Sequence, residues 1–159
     1  MMAPMRTRAL VVYDTRYGNT EKIAKALAGG IENHCDVECI NVKDVDPAKT
    51  ASYGLIALGA PTEAWSARKE MKEYLTKLEG VQGLSGKLGF AFDTRADSRL
   101  SGSAAKYIEE RMVKLGMKMV LPRESAFIKG SKENTTLKEG EESRFDNIGD
   151  ELGLFVSRY

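Results

Sequence analysis

Apolar residues along this chain follow two alternating patterns. Short apolar, β-rich runs predict strands at Ala9–Tyr13, Val37–Val42, Gly54–Gly59 and Leu88–Phe92, those at 54–59 and 88–92 being apolar on nearly every residue. A fifth strand is expected between Met117 and Lys129, interrupted by the polar stretch LPRES. Between these runs, stripes at i, i+3 and i+4 predict buried helix faces. They are Ile23, Ala26, Leu27 and Ile31; Met71, Tyr74, Leu75 and Leu78; Ala105, Ile108, Met112 and Leu115; and Ile148, Leu152, Phe155 and Val156. The polar stretch KGSKENTTLKEGEES (129–143) reads as a loop entering the last helix. Strands alternating with helices predict an α/β fold around a parallel sheet covered on both faces. At 159 residues and 42% hydrophobic content, one domain spanning 1–159 is expected.

Charge narrows the partners. Lys plus Arg number 24 against 23 Asp plus Glu, so the net basic field that nucleic acid or a membrane surface needs is absent. No apolar run approaches the ~18 residues of a membrane span. The start, MMAPMRTR, lacks the apolar core of a secretory signal, which makes the cytoplasm the expected location. Cys35 and Cys39 lie four apart in a predicted strand, on one face and about 13 Å apart along it. That is too far for a disulfide, and with His34 as the only histidine the pair makes a poor zinc site, so free thiols are expected. A single histidine also excludes every Ser-His or Cys-His arrangement that does not use it. No catalytic residue and no metal site is assigned.

The chemistry concentrates in loops. Ligands of open parallel sheets bind beyond the carboxyl ends of the strands, where the strand order reverses. The loops to consider follow strands one, three and four: DTRYGNT (14–20), APTEAWSAR (60–68) and DTRADSRLSG (93–102). In the first, Thr20 or Asn19 can cap a helix beginning at Glu21, whose first-turn N–H groups would attract an anion. Gly18 permits close approach or a positive φ, and the hydroxyls of Thr15, Tyr17 and Thr20 add donors. A polar turn into a capped helix fits the same residues. Trp65, the only tryptophan, stands in the second loop away from any apolar stripe. It can stack on a flat ring or cover the edge of the sheet. The third loop alternates Asp93, Arg95, Asp97 and Arg99, and reads as a solvated lid or as a set of contacts to a heteroaromatic edge.

Together these stretches resemble the flavodoxin family over nearly the whole chain. Thr15-Arg16-Tyr17-Gly18-Asn19-Thr20 resembles the family's T/S-x-x-G-N-T phosphate loop. Gly59-Ala60-Pro61-Thr62 followed by Trp65 resembles its G-x-P-T…W loop, and AFDTRADSRLSGSAAKYIEERMVKLG resembles its third loop and following helix. The YDT start and the S-G-x-A exit are similar to the flavodoxin modules of flavodiiron proteins. The resemblance implies a flavodoxin-like three-layer fold of the short-chain kind, with a five-stranded parallel sheet in the order 2-1-3-4-5. It also implies non-covalent FMN at the switch point, the placement for which flavodoxin is itself the standard example.

By carry-over, Thr15, Arg16, Tyr17, Gly18, Asn19 and Thr20 would surround the phosphate. Pro61, Thr62, Glu63, Ala64 and Trp65 would flank the isoalloxazine, with Trp65 stacked on it. Asp93, Thr94 and Arg95 would meet the pyrimidine end, and Leu100, Ser101 and Gly102 would close that side. Three departures stand out. Residues 93–102 contain no aromatic, where many members place one. Ala64 and Ser66 flank Trp65 where many members have glycine, so a positive φ there would carry a steric cost. The loop acids Asp14, Glu63, Asp93 and Asp97 are matched by Arg16, Arg68, Arg95 and Arg99, whereas low-potential members have an acidic rim.

The implied function is a small FMN electron carrier, monomeric or weakly dimeric, shuttling between redox-protein partners. One alternative is an FMN-dependent NAD(P)H:quinone-type oxidoreductase, and another is a flavodoxin-like module that has lost flavin. A response-regulator receiver would need acidic residues at the end of strand three, where Gly-Ala-Pro-Thr stands.

Overall fold

The computed structural model describes residues 6–159; Met1–Met5, part of the start considered above for a secretory signal, lie outside the described residues. The predicted strands form β1 (Arg8–Tyr13), β2 (Asp36–Asn41), β3 (Leu55–Pro61) and β4 (Leu88–Ala96), of which β2 is half polar and only partly buried. They pair in parallel in the order β2-β1-β3-β4. The fifth position is shared. β5 (Lys118–Met119) pairs with the first half of β4 and β6 (Glu124–Lys129) with its second half. Pro122 lies in the gap between them and cannot donate to the ladder. The expected order 2-1-3-4-5 therefore holds, with the last strand split at the expected place. The stretch expected to be an irregular loop also contributes β7 (Thr136–Leu137), which pairs antiparallel with the end of β6.

Helices α1 (Asn19–Ile31) and α4 (Glu141–Ser157) cover one face of the sheet, and α2 (Lys69–Leu78) and α3 (Ala104–Lys114) cover the other. Alternation along β1 sorts its side chains: Ala9, Val11 and Tyr13 join the α1/α4 core, Leu10 and Val12 the α2/α3 core. The predicted stripes are buried with few exceptions. Ala26 and Leu115 are partly buried, and Phe155 is exposed, stacked on Tyr159 with ring centroids 6.0 Å apart. Phe145, Ile148, Leu152 and Val156 already form the inward line of α4, and Phe155 stands about 100° away from it.

Cys35 and Cys39 are free thiols on the same core face, as expected. His34 binds Asp150 at 2.8 Å between the end of α1 and α4, so the single histidine belongs to a helix–helix contact. Among the described residues no helix is long and apolar enough to cross a membrane.

Candidate functional site

Three loops leave the carboxyl ends of β1, β3 and β4, adjacent strands that together span about 10 Å. The first differs from expectation at its helix. α1 begins at Asn19, not Glu21, and its N-cap is Gly18 at φ 96°, with no side-chain cap. The two residues expected to cap it are engaged elsewhere. Asn19 donates its amide to the carbonyl and hydroxyl of Thr135, at 3.2 and 3.0 Å. The Thr20 and Thr94 hydroxyls bond each other at 2.8 Å.

The first turn of α1 therefore has no side-chain acceptor and presents the positive end of its dipole. A Cβ placed on Gly18 would meet nothing within 4 Å, so the space beside this turn is open. Thr15 Oγ1 accepts the Gly18 N–H at 3.0 Å, leaving its own hydrogen for an outside acceptor. Tyr17 is partly exposed, with the Arg16 guanidinium 5.2 Å from its ring centroid.

The second loop carries backbone strain. Glu63 and Ser66 exchange both backbone hydrogen bonds, at 2.8 and 3.0 Å, around Ala64 at φ 48° and Trp65 at φ 66°. Two central residues at positive φ are the signature of a type I′ hairpin turn, normally supplied by Asn-Gly. The steric cost foreseen at Ala64 is thus present in the fold, while the second positive φ falls on Trp65 itself and not on Ser66; each non-glycine residue there costs about 1–2 kcal/mol. Trp65 is 70% exposed and does not seal the sheet edge. Its indole N–H donates to the Leu100 carbonyl at 2.7 Å, and its backbone bridges to Gly102. Gly102, at φ 71°, is needed for this approach, since a Cβ there would stand 2.5 Å from the Trp65 Cα.

Charges tie the loops together. Glu63 pairs with Arg16 of the first loop and with Arg68 at the end of the second. Arg68 also grips Asp14 with two bonds, at 2.9 and 3.1 Å. Burial raises the Asp14 carboxyl above its ordinary pKa, and the hydrogen-bonded Arg68 opposes that shift. Four of the eight loop charges thus pair internally, and Asp97 pairs with Lys138 outside the loops. Composition shows the balance but not the pairing, and the signal for Arg68 was only its place at the end of a loaded loop.

The third loop divides its residues. The Asp93 side chain is buried; its Oδ2 accepts from Ser103 Oγ at 2.6 Å and from the Ala105 N–H at 3.0 Å, sealing the start of α3. Thr62 completes that seal by accepting the Ala104 N–H at 3.0 Å. Pro61 ends β3 beside Thr94, and Thr94 turns to the opposite face toward Thr20. Arg95 reaches sideways to Ser125 and Ser101, at 2.9 and 3.1 Å. Leu100 is 82% exposed. The structure thus brings Thr15, Gly18 and Thr20 together at one end and Trp65, Leu100 and Gly102 at the other. The side chains of Asp93, Thr94 and Asn19 serve the scaffold, so their offering to a ligand is backbone. Thr135, which fixes Asn19 from 116 residues away, had no sequence signal. Among the described residues no group of three or more His, Cys, Asp or Glu is placed to hold a metal ion.

A family profile described as "Flavodoxin domain" matches residues 10–113, a span that holds all three loops. An uncharacterized protein of Methanocaldococcus jannaschii is 30% identical over 143 residues, covering 84% of this chain and 34% of that protein. NAD(P)H dehydrogenase (quinone) 3 of Rhizobium meliloti is 27% identical over 139 residues, covering 72% of this chain and 65% of that protein. The solved structure of a flavodoxin from the domain Archaea matches with a TM-score of 0.80 at 26% identity, covering 94% of this chain and 98% of that one. The chain therefore spans about a third of the M. jannaschii relative and just under two thirds of the R. meliloti one.

Proposed function

The chain belongs to the flavodoxin family, and on that premise we propose that it is an FMN-binding electron carrier serving redox-protein partners. The observation that carries this reading is the pairing of two ends: an uncapped helix N-terminus opened by Gly18, and an exposed tryptophan anchored to the third loop. A ligand with a flat ring at one end and a phosphate at the other fits them. The flavin, when bound, supplies the electron chemistry. The chain binds and orients it.

The first-turn N–H groups of α1, with the hydroxyls of Thr15 and Thr20, hold the phosphate without a lysine. The Thr20 hydroxyl can accept from Thr94 and donate outward at the same time. The Trp65 indole flanks the ring, backbone of Asp93 to Arg95 meets its polar edge, and Leu100 to Gly102 close the side. The visible absorption spectrum of the purified protein, followed by chromatography of the released flavin, tests this. A flavin spectrum and released FMN are expected. A colourless protein that gains no flavin when soaked in FMN would instead support the flavin-free module.

A second reading is an NAD(P)H:quinone oxidoreductase on the same fold. It is favoured by the R. meliloti relative and by Arg95 and Arg99, which have no carboxylate partner among the described residues. Steady-state oxidation of NADPH by the protein alone, with a quinone acceptor, would establish it over the carrier.

A further inference from the structure

A cavity of about 600 Å³ lies between the start of β6, the N-cap of α3 and the first turn of α4. It lies across β4 from β3 and β1 and borders the proposed flavin site, since Arg95 and Ser103 from the two ends of the third loop line it. Its volume falls in the range of small-molecule pockets, ~300–1,000 Å³.

Three guanidiniums line it, and they are neutralised differently. Arg123 pairs with Glu109 at 3.0 Å. Arg144 is shared by Glu124 and Glu141, at 3.0 Å each. Arg95 has no carboxylate partner among the described residues. Its Nε donates to Ser125 Oγ and its Nη1 to Ser98 O and Ser101 Oγ, which leaves Nη2 without a protein acceptor. Ser125 Oγ spends a lone pair on Arg95, so its own hydrogen is free. The Phe127 ring, 5.2 Å from the guanidinium carbon, helps fix the orientation of Arg95.

Two unspent donors thus adjoin on one wall of the cavity, at the one lining guanidinium that no carboxylate pairs, while Arg144 faces two carboxylates across it. Pro122 and Phe127 supply apolar lining. We propose that this cavity is a binding site for a small organic monocarboxylate, one oxygen taken by Arg95 Nη2 and the other by the Ser125 hydroxyl. A carboxylate can accept from both donors at once, and its bond from the guanidinium N–H is charge-assisted. A phosphate dianion would bring a second negative charge close to Glu124 and Glu141, with a single free cation to offset it.

The test is a titration of the 15N-labelled protein with sodium benzoate at constant ionic strength, followed by amide chemical shifts. It uses the protein as isolated, with or without flavin, so its outcome is separate from the flavin reading. Saturable shifts at Arg95, Ser125 and Phe127 are expected, with Kd of order 1 mM. Arg95→Gln should weaken binding at least tenfold, and Ser125→Ala about threefold, which keeps the test readable if the arginine variant does not fold. Arg111→Gln, on a residue paired with Glu79 outside the cavity, should leave Kd unchanged. Three results would overturn the proposal: shifts that chloride reproduces, a Kd that neither cavity variant changes, or tighter binding of inorganic phosphate to the same amides.

Discussion

Ala64 and Trp65 hold a conformation suited to glycine because their turn is fixed from outside, by Glu63 on Arg16 and by the indole on Leu100. Strain of this kind concentrates where surrounding contacts over-determine a functional loop. Ala64→Gly should relieve about 1–2 kcal/mol of it and lose about 0.5–1 kcal/mol to unfolded-chain entropy. A net gain of up to about 1 kcal/mol in urea unfolding is expected; a loss of about 0.5–1 kcal/mol, the entropy cost alone, would show that the turn is unstrained.

The cysteines give a second residue-scale prediction. Burial pushes the Cys39 thiol up to about 11 and raises Cys35 as well. A raised folded pKa contributes stability that is complete below the unfolded value near 8.5 and is lost as pH rises through about 11. Native Cys39 should therefore hold only a few parts per thousand thiolate at pH 8.5. Iodoacetamide at that pH should label neither cysteine until urea is added, and rapid native labelling would contradict this. At this scale the sequence showed the residue types and not their partners. The steric cost at Ala64 was readable from the lack of glycine, whereas the positive φ at Trp65 in place of Ser66 and the Asn19–Thr135 and Thr20–Thr94 bonds depend on how distant segments meet.

Helices α1 and α4 meet through glycines. A Cβ on Gly30 would collide with the Asp146 carbonyl, and one on Gly149 with the Leu27 carbonyl. Gly29, one residue along and exposed, would meet nothing. Gly149→Ala should therefore cost at least about 2 kcal/mol by overpacking, while Gly29→Ala should gain up to about 1 kcal/mol from helix propensity. Equal effects in urea unfolding would mean that the helices do not approach this closely.

The strands and helices themselves were legible, because a sheet covered on both faces demands continuous apolar runs and a surface helix demands a stripe. The start of α1 was misplaced by two residues. Asn and Thr ahead of a helix usually cap it, and here the open space beside Gly18 leaves that task undone. β7 went unread because two residues carry no periodicity. Phe155 was taken for core because it neighbours a genuine stripe.

For the molecule as a whole, three loops from three adjacent strands are joined by the Arg16–Glu63–Arg68–Asp14 chain of ion pairs and by the Trp65–Leu100 bond. The order of the loops along the chain was enough to place them at one edge. Their internal pairing needed the fold. That pairing leaves Arg95 and Arg99 without a carboxylate partner and the buried Asp93 without a cation among the described residues, so a partner meeting this edge would face little of the acidic field that the resemblance implies for low-potential relatives. Hydrophobic exposure at Trp65 and Leu100 becomes the larger feature of the surface.

The central claim is that the edge holds a flat ring at the Trp65 end and a phosphate at the α1 end. Thr20→Val tests the phosphate end, since it removes a hydroxyl beside the first turn of α1 and one half of the buried bond to Thr94. The measurement is quenching of flavin fluorescence on titrating flavin-stripped protein into FMN and, separately, into riboflavin. FMN is expected to bind at least about tenfold more tightly, a difference of roughly 1.4 kcal/mol, and Thr20→Val should narrow that ratio while changing the riboflavin Kd less. Equal affinities for the two flavins, or equal losses in the variant, would contradict the phosphate assignment, and no quenching by either would contradict the site.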